Sequence, residues 1–315
     1  MRVLVVGGTG FIGAPTVRRL VSGGHDVAVF HRGERASELF GAASIFGDRK
    51  LIAEHAAALR AFRPEVVVDF VAFTESDVRG VLDAFRGVAR RLVVLSSLDV
   101  YRAWDRLTRA KAGPLEPVPI GEDAPLRETT FPRRKSASGP DDVMWDYDKI
   151  PVERAALSDR ALPGTVLRLP AVYGPGDHKR HRVGNYLARM GGAETLALDE
   201  GLSRWRWTRC YVEDVAEAIV LASVDARASG RTYNVGETAP MTEGDWVRAI
   251  ARVAGYAGAI AYGLAPSDDE QDFAQDLVID TTRIQAELGW RPRVPFDEAL
   301  AASIAWERRE SRFGF

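Results

Sequence analysis

The stretch Met1–Leu20, MRVLVVGGTGFIGAPTVRRL, decides the fold. Val3 to Val6 make a short apolar run that reads as a buried strand. GGTGFIG follows, with glycines at 7, 8, 10 and 13, and then leucine, valine and basic residues at helical spacing. A strand that runs through closely spaced glycines into a helix suits a turn where backbone must approach a pyrophosphate. The helix start offers unpaired N–H groups and a positive dipole end to such an anion. Gly13 lets the helix pack close to the strand. Glycines also serve ordinary loops and caps, but here the strand, the spacing and the helix agree. Gly7, Gly10, Phe11, Ile12 and Gly13 are therefore the candidate residues of a dinucleotide-binding turn.

Composition narrows the rest. With 315 residues the chain is long enough for one large α/β domain or two lobes. Lys+Arg is 42 and Asp+Glu is 44, so no global field recruits nucleic acid or an anionic membrane. The single cysteine, Cys210, excludes an internal disulfide and a cysteine-based metal cluster. Five histidines without HExxH spacing point to no metal site. Met1 leads straight into the first strand, and no apolar run approaches the ~20 residues of a membrane helix, so a cytoplasmic protein is expected.

Further along, strands are expected at 25–30, 44–48, 65–71 and 91–97, with helices at 51–62 and 78–88. That alternation implies an α/β fold with a parallel, doubly wound sheet, and the glycine turn favours its nucleotide-binding form. Residues 102–146 differ: six prolines and the basic run Arg133-Arg134-Lys135 suggest a lid or mobile loop. The run reads as a solvated face or as a clamp for an anionic substrate. Helices return at 149–160, 212–223, 241–254, 282–288 and 296–310, with strands at 165–169 and 232–235.

Across its full length the chain resembles the extended short-chain dehydrogenase/reductase family, the NAD(P)-dependent sugar epimerase/dehydratase group. GGTGFIG (7–13), LSSLDVY (95–101), KIPVE (149–153), LRLPAVYGPGD (167–177) and YVEDVAEAI (211–219) carry the likeness in order. ELGWRPRVPFDEALAASIAW (287–306) is similar to the family's ending. The resemblance implies a Rossmann domain over 1–175, to which 206–236 returns, a smaller substrate lobe over 176–315, and a homodimer. It also places Asp48 and Arg49 beside the adenine and Val71, Ala72 and Pro170 along the cofactor. At the end of the second strand the family's NAD users carry an acid. Phe30-His31-Arg32-Gly33 has none, and Arg32 can grip a 2′-phosphate, which favours NADP with NAD as the alternative. Glu34 is an acid slightly out of register.

Family chemistry uses serine, tyrosine and lysine. The tyrosine exchanges a proton with the substrate, the lysine holds the nicotinamide ribose, and the serine bonds the substrate oxygen. Ser97 and Lys149 match. The YxxxK spacing does not, because Trp145 stands four residues before Lys149. Tyr147 stands only two before it, about 200° round an ideal helix. Pro151 changes that reading, since proline is comfortable only in a helix's first turn. A helix starting near Asp148 leaves Tyr147 outside helical geometry and able to reach the nicotinamide side, so Tyr147 is the candidate proton donor.

On the substrate side, Trp207 takes the place where the family tends to put a diphosphate-binding arginine, with Arg206 and Arg209 flanking it. An arginine–tryptophan ladder suits a phosphate and a planar group. Packing at a lobe interface accounts for the same pattern. Trp145 and His181, the latter in the basic loop after YGPG, complete the candidate substrate residues. The expected activity is an NAD(P)-dependent oxidoreductase or epimerase acting on a carbonyl or secondary alcohol of a small polar molecule, nucleotide sugars included. The alternative is a redox-silent nucleotide sensor or nucleic-acid binder on the same fold.

Overall fold

The computed structural model describes residues 1–33, 39–263 and 270–310; Glu34 lies outside the described residues. The first half alternates β1 (Arg2–Val6), α1 (Gly13–Ser22), β2 (Asp26–His31), β3 (Ala43–Phe46), α2 (Ile52–Ala61), β4 (Val66–Asp69), α3 (Glu75–Phe85), β5 (Arg91–Ser97) and α4 (Arg102–Leu107). After a long connection come α5 (Lys149–Ser158), β6 (Gly164–Leu169), β7 (Ala171–Tyr173), α6 (Gly184–Met190), β8 (Thr195–Leu198) and α7 (Glu200–Arg204). The last third holds β9 (Arg209–Tyr211), α8 (Val212–Val224), β10 (Thr232–Asn234), α9 (Glu243–Ala254), β11 (Ala259–Tyr262), α10 (Thr282–Leu288) and α11 (Phe296–Glu310).

Seven strands form one sheet in the order β10-β6-β5-β4-β1-β2-β3, and each pairing is parallel. The order reverses at β1, which puts the ligand crevice of a doubly wound sheet between β1 and β4. Side chains alternate across the sheet. Val3 and Val5 pack with Val17, Leu20, Val215 and Ile219 of α1 and α8. Leu4 and Val6 pack with Ile52, Val78, Leu82 and Val152 of α2, α3 and α5. Both faces are covered, which is why these strands read as continuous apolar runs rather than alternating ones.

Helix α3 starts three residues earlier than expected. Thr74 and Asp77 form a reciprocal capping box there, and this sets the boundary. The pairs β7 with β9 and β8 with β11 escape a periodicity reading, because strands of three or four residues show no period. Residues 102–146, expected as a lid or mobile loop, carry α4 and contribute to a third core instead. Leu107 and Ile120 pack there with Trp205, Leu277 and Ile279. The Ile120 N–H donates to the Val278 carbonyl at 2.7 Å, so the connection is stitched to the chain near residue 278. Helix α10 packs on β10, and the Trp290 indole donates to the Asp214 carbonyl at 3.0 Å. Thus part of the chain beyond 176 lies on the main sheet.

Helix α5 is locked to the sheet by charge. Arg168 of β6 donates to the Glu153 carboxylate at 2.7 and 2.9 Å, to the Tyr101 hydroxyl at 3.0 Å and to the Glu122 carbonyl at 2.7 Å. Ser96 donates to Glu153 at 2.5 Å, and both members of the ion pair are buried. Removing one partner of such a pair leaves the other charge uncompensated in a low dielectric. Glu153→Ala is therefore expected to cost about 3–5 kcal/mol in urea unfolding, and Glu153→Gln clearly less.

Candidate active site

The turn after β1 is shaped by two close approaches. Gly7 has φ +81° and donates to the Phe30 carbonyl at 3.0 Å, and a Cβ there would stand 2.7 Å from the Val71 side chain. A Cβ at Gly13 would meet the Gly8 carbonyl at 2.6 Å. The first turn of α1 holds no acid, and Ile12 at its N-cap makes no side-chain capping bond. The chain's own side chains thus leave the positive end of α1 for an external anion, which fits a dinucleotide's pyrophosphate. Phe11 lies against the loop after β7, since a Cβ on Gly176 would touch its ring at 3.3 Å.

Around the adenosine end, Arg32 is exposed at the carboxyl end of β2. The Asp48 side chain accepts the Lys50 N–H at 2.8 Å and caps the turn. Arg49 turns toward β4. It donates to the carbonyls of Val71 and Asp77, each at 3.0 Å, and pairs with the buried Asp69 carboxylate. Burial pushes the Asp69 carboxyl up, and Arg49 opposes that. Arg49 thus holds the end of β4, and with it Val71, against the glycine turn.

The candidate catalytic residues converge at the carboxyl edge of the sheet. Ser97 ends β5. Asp148 caps α5 in extended conformation, and its side chain accepts the Ile150 N–H at 3.1 Å. Lys149 is the first helical residue, so Pro151 sits in the first turn, where a missing N–H costs nothing. Tyr147 precedes the helix, as Pro151 implied, and its ring is buried at the carboxyl edge of the sheet. Its hydroxyl donates to Asp99, with Oδ2 at 3.2 Å and Oδ1 at 3.4 Å. Burial, then the Asp99 carboxylate, push the phenol well above its usual range, while Arg133 and Ser97 act the other way.

Lys149 reaches the same place from the helix. Its Nζ lies 5.6 Å from the centre of the Tyr147 ring and donates to the Ala72 carbonyl at 2.6 Å and the Leu95 carbonyl at 2.8 Å. An ammonium has three donors, so one remains for a ligand. Burial pushes Lys149 down to about 8, opposed by the carboxylates of Asp69, Asp99 and Asp77. Pro170 is buried between β6 and β7.

The substrate-side residues divide. Trp205, Trp207 and Arg209 form the ladder: the indoles stack at 4.8 Å, and the Arg209 guanidinium lies 5.2 Å from the Trp207 ring. Arg209 is 1 % exposed and paired with Glu243, which also accepts the Trp207 N–H at 2.9 Å. Arg206 points the other way. It pairs with Asp276 at 2.7 Å and lines an open pocket of about 430 Å³ with Pro119, Thr238 and Asp280, apart from Ser97, Tyr147 and Lys149. His181 bonds Glu307 at 2.9 Å and stacks on Trp306, tying its loop to α11; the Glu307 bond holds it above the usual histidine value. Trp145 is half-buried against Arg134, whose guanidinium lies 5.2 Å from its ring.

Asp99, which accepts the Tyr147 hydroxyl, is a candidate residue that motif reading missed. Its signal was an acid two residues after Ser97, at the edge where ligands bind. Among the described residues no cluster of three or more metal-ligating side chains occurs, and no helix is long and apolar enough to cross a membrane.

Comparison with known proteins agrees with this fold. The 2'-dehydrokanamycin reductase of Streptomyces kanamyceticus is 28% identical over 249 residues, covering 76% of this chain and 63% of that protein. The dTDP-glucose 4,6-dehydratase of Streptomyces niveus is 26% identical, covering 98% of this chain and 93% of its own. The solved UDP-glucose-4-epimerase of Stenotrophomonas maltophila, with bound NAD and formylated UDP-arabinopyranose, has the same fold: TM-score 0.76 at 20% identity, with all of both chains covered. The model of the NAD dependent epimerase/dehydratase family matches residues 3–236. The glycine turn, the seven-stranded parallel sheet and that match over most of its length place the chain in the NAD-dependent epimerase/dehydratase family, an NAD(P)-dependent branch of the extended short-chain dehydrogenases/reductases.

Proposed function

We propose that the protein is an NADP-linked oxidoreductase or epimerase that works on a secondary alcohol or carbonyl of a small polar substrate, with nucleotide sugars the first class to try. The observation that carries this reading is the Tyr147 hydroxyl held on Asp99, two residues past Ser97 at the end of β5, with the Lys149 ammonium 5.6 Å from its ring. A bound nicotinamide supplies or accepts hydride at the substrate carbon. Tyr147 gives its phenolic proton to the substrate oxygen in the reducing direction and takes it back in the oxidising one. Ser97 donates to that oxygen and holds it in place. Lys149 uses its third donor on the ribose, and its charge steadies the phenolate left on Tyr147. The ladder of Trp205, Trp207 and Arg209 offers an aromatic wall rather than an open cation, because Glu243 already compensates Arg209. Two of the three relatives named above act on nucleotide sugars by their names, which is why that class comes first. The setting we propose is the cytoplasm and the state a homodimer, the latter as the family resemblance implies; light scattering on the purified chain measures the second part.

Three measurements test the reading. Against a panel of carbonyl compounds and nucleotide sugars with NADPH, Tyr147→Phe should lose about 10²–10⁴-fold in turnover while still binding the cofactor. Turnover that survives in Tyr147→Phe refutes the proton assignment. Arg32→Ala should weaken NADPH by about ten- to a hundredfold and leave NADH unchanged, as expected for a lost charged contact to the 2′-phosphate. Equal effects on both cofactors dismiss the NADP preference. The affinity for NADPH should also fall as pH rises through about 8, where Lys149 loses its charge. That limb should vanish in Lys149→Met.

A further inference from the structure

We propose that Arg133 is a positioning residue for the acid–base step: delivered by the long connection, it grips Asp99 and through Asp99 fixes where the Tyr147 hydroxyl rests. The inference rests on the reading of Tyr147 as proton donor. Asp99 lies on the turn that closes β5, and its carboxylate is fully buried. One oxygen, Oδ2, accepts both Arg133 Nη2 at 2.9 Å and the Tyr147 hydroxyl at 3.2 Å. A carboxylate so buried is strongly disfavoured without a cation, and Arg133 is the cation that reaches it. The guanidinium carbon stands 4.5 Å from the centre of the Trp104 ring, which pre-orients its flat fork toward Asp99.

The neighbouring arginines do related but separable work. Arg127 donates to the Asp99 backbone carbonyl at 3.0 Å and pairs with Asp148, the cap of α5. Arg134 donates to the Trp145 carbonyl at 3.0 Å and to Asp146 at 2.8 Å. These two fix the backbone on either side of the site. Of the three, Arg133 alone touches the carboxylate that accepts the phenol. The basic run is thus neither a solvated face nor a substrate clamp at this position.

The electrostatic consequence follows from the charges that face Tyr147. Asp99 comes from the β5 turn, Arg133 from the connection and Lys149 from α5, with neutral Ser97 completing the ring of partners. Asp99 holds the phenol as a donor until a substrate oxygen competes for its proton. The O–H bond of Tyr147 then breaks and a new one forms on the substrate. The phenolate left behind sits beside a carboxylate that Arg133 has already compensated. Without Arg133 that phenolate would face a bare anion, and the hydroxyl would lose its fixed acceptor.

The test needs neither cofactor nor substrate, so its failure is distinguishable from failure of the NADP-linked reading. Protein labelled with 3-fluorotyrosine, whose ring fluorine acidifies the phenol, is titrated by fluorine NMR. The Tyr147 signal is assigned by its loss in Tyr147→Phe. Arg133→Gln should move its titration upward by about one pH unit, and Asp99→Asn should move it downward by a similar amount. Arg133→Lys, which keeps the charge, should stay near wild type, as should Lys135→Gln on the exposed end of the same run. In the Asp99→Asn background, Arg133→Gln should have less than about half its effect, because the guanidinium has lost its anchor. A folded Arg133→Gln protein whose Tyr147 signal titrates as wild type overturns the proposal. So does a shift of equal size with and without the Asp99 carboxylate.

Discussion

A helix that begins one residue after Asp148 sets which candidate residues meet at the sheet edge. Had α5 started a turn earlier, Tyr147 and Lys149 would project some 200° apart and could not share a site. Asp148 prevents this by taking an extended conformation and spending its carboxylate on the first-turn N–H of Ile150. The Phe73 carbonyl accepts the Asp148 N–H at 3.0 Å, which pins the cap to the loop after β4. Arg127 pairs with the same carboxylate. The helix boundary is thus held by three separate parts of the chain, and the position of Tyr147 follows from it.

Guanidinium groups perform much of the fixing in this protein. Arg49 ties the end of β4, Arg127 the start of α5, Arg168 the side of α5, and Arg209 the ladder. Each reaches a carboxylate that lies far off in sequence and is largely buried. An aliphatic side chain of the same volume fills space but cannot choose among carbonyl and carboxylate partners. A planar, always-charged fork can. This suits a site whose walls come from loops after β1, β4, β5 and β7, where no regular ladder sets the spacing between them.

Much of this was legible in the residues, for physical reasons. The β1–turn–α1 unit shows itself because strand and helix periods meet across glycines that backbone contact requires. Ser97 and Lys149 stand at fixed offsets from strand and helix ends. Tyr147 became readable through Pro151, whose missing N–H limits where a helix can begin. The Asp99–Arg133 pair was not readable, since its members are 34 residues apart and meet only because the connection folds back. Nor was the core beneath that connection. Leu107, Ile120 and Leu126 contribute single side chains from short or extended segments, which leave no period to detect. Arg206 and Arg209 look equivalent in sequence, yet one faces open solvent and the other is sealed. Their fates part because successive side chains of an extended strand point to opposite sides.

One feature of the sheet bears on how the chain is made. Strand β10 lies next to β6 and covers its outer edge, although β7, α6, β8, α7, β9 and α8 are synthesised between the two. While that intervening stretch is still being translated, β6 has β5 on one side and a row of unanswered N–H and C=O groups on the other. An open parallel edge of this kind invites pairing with another nascent chain. A ribosome that stalls before residue 232 would release a nearly complete nucleotide-binding unit with an adhesive flank, a species suited to chaperone capture.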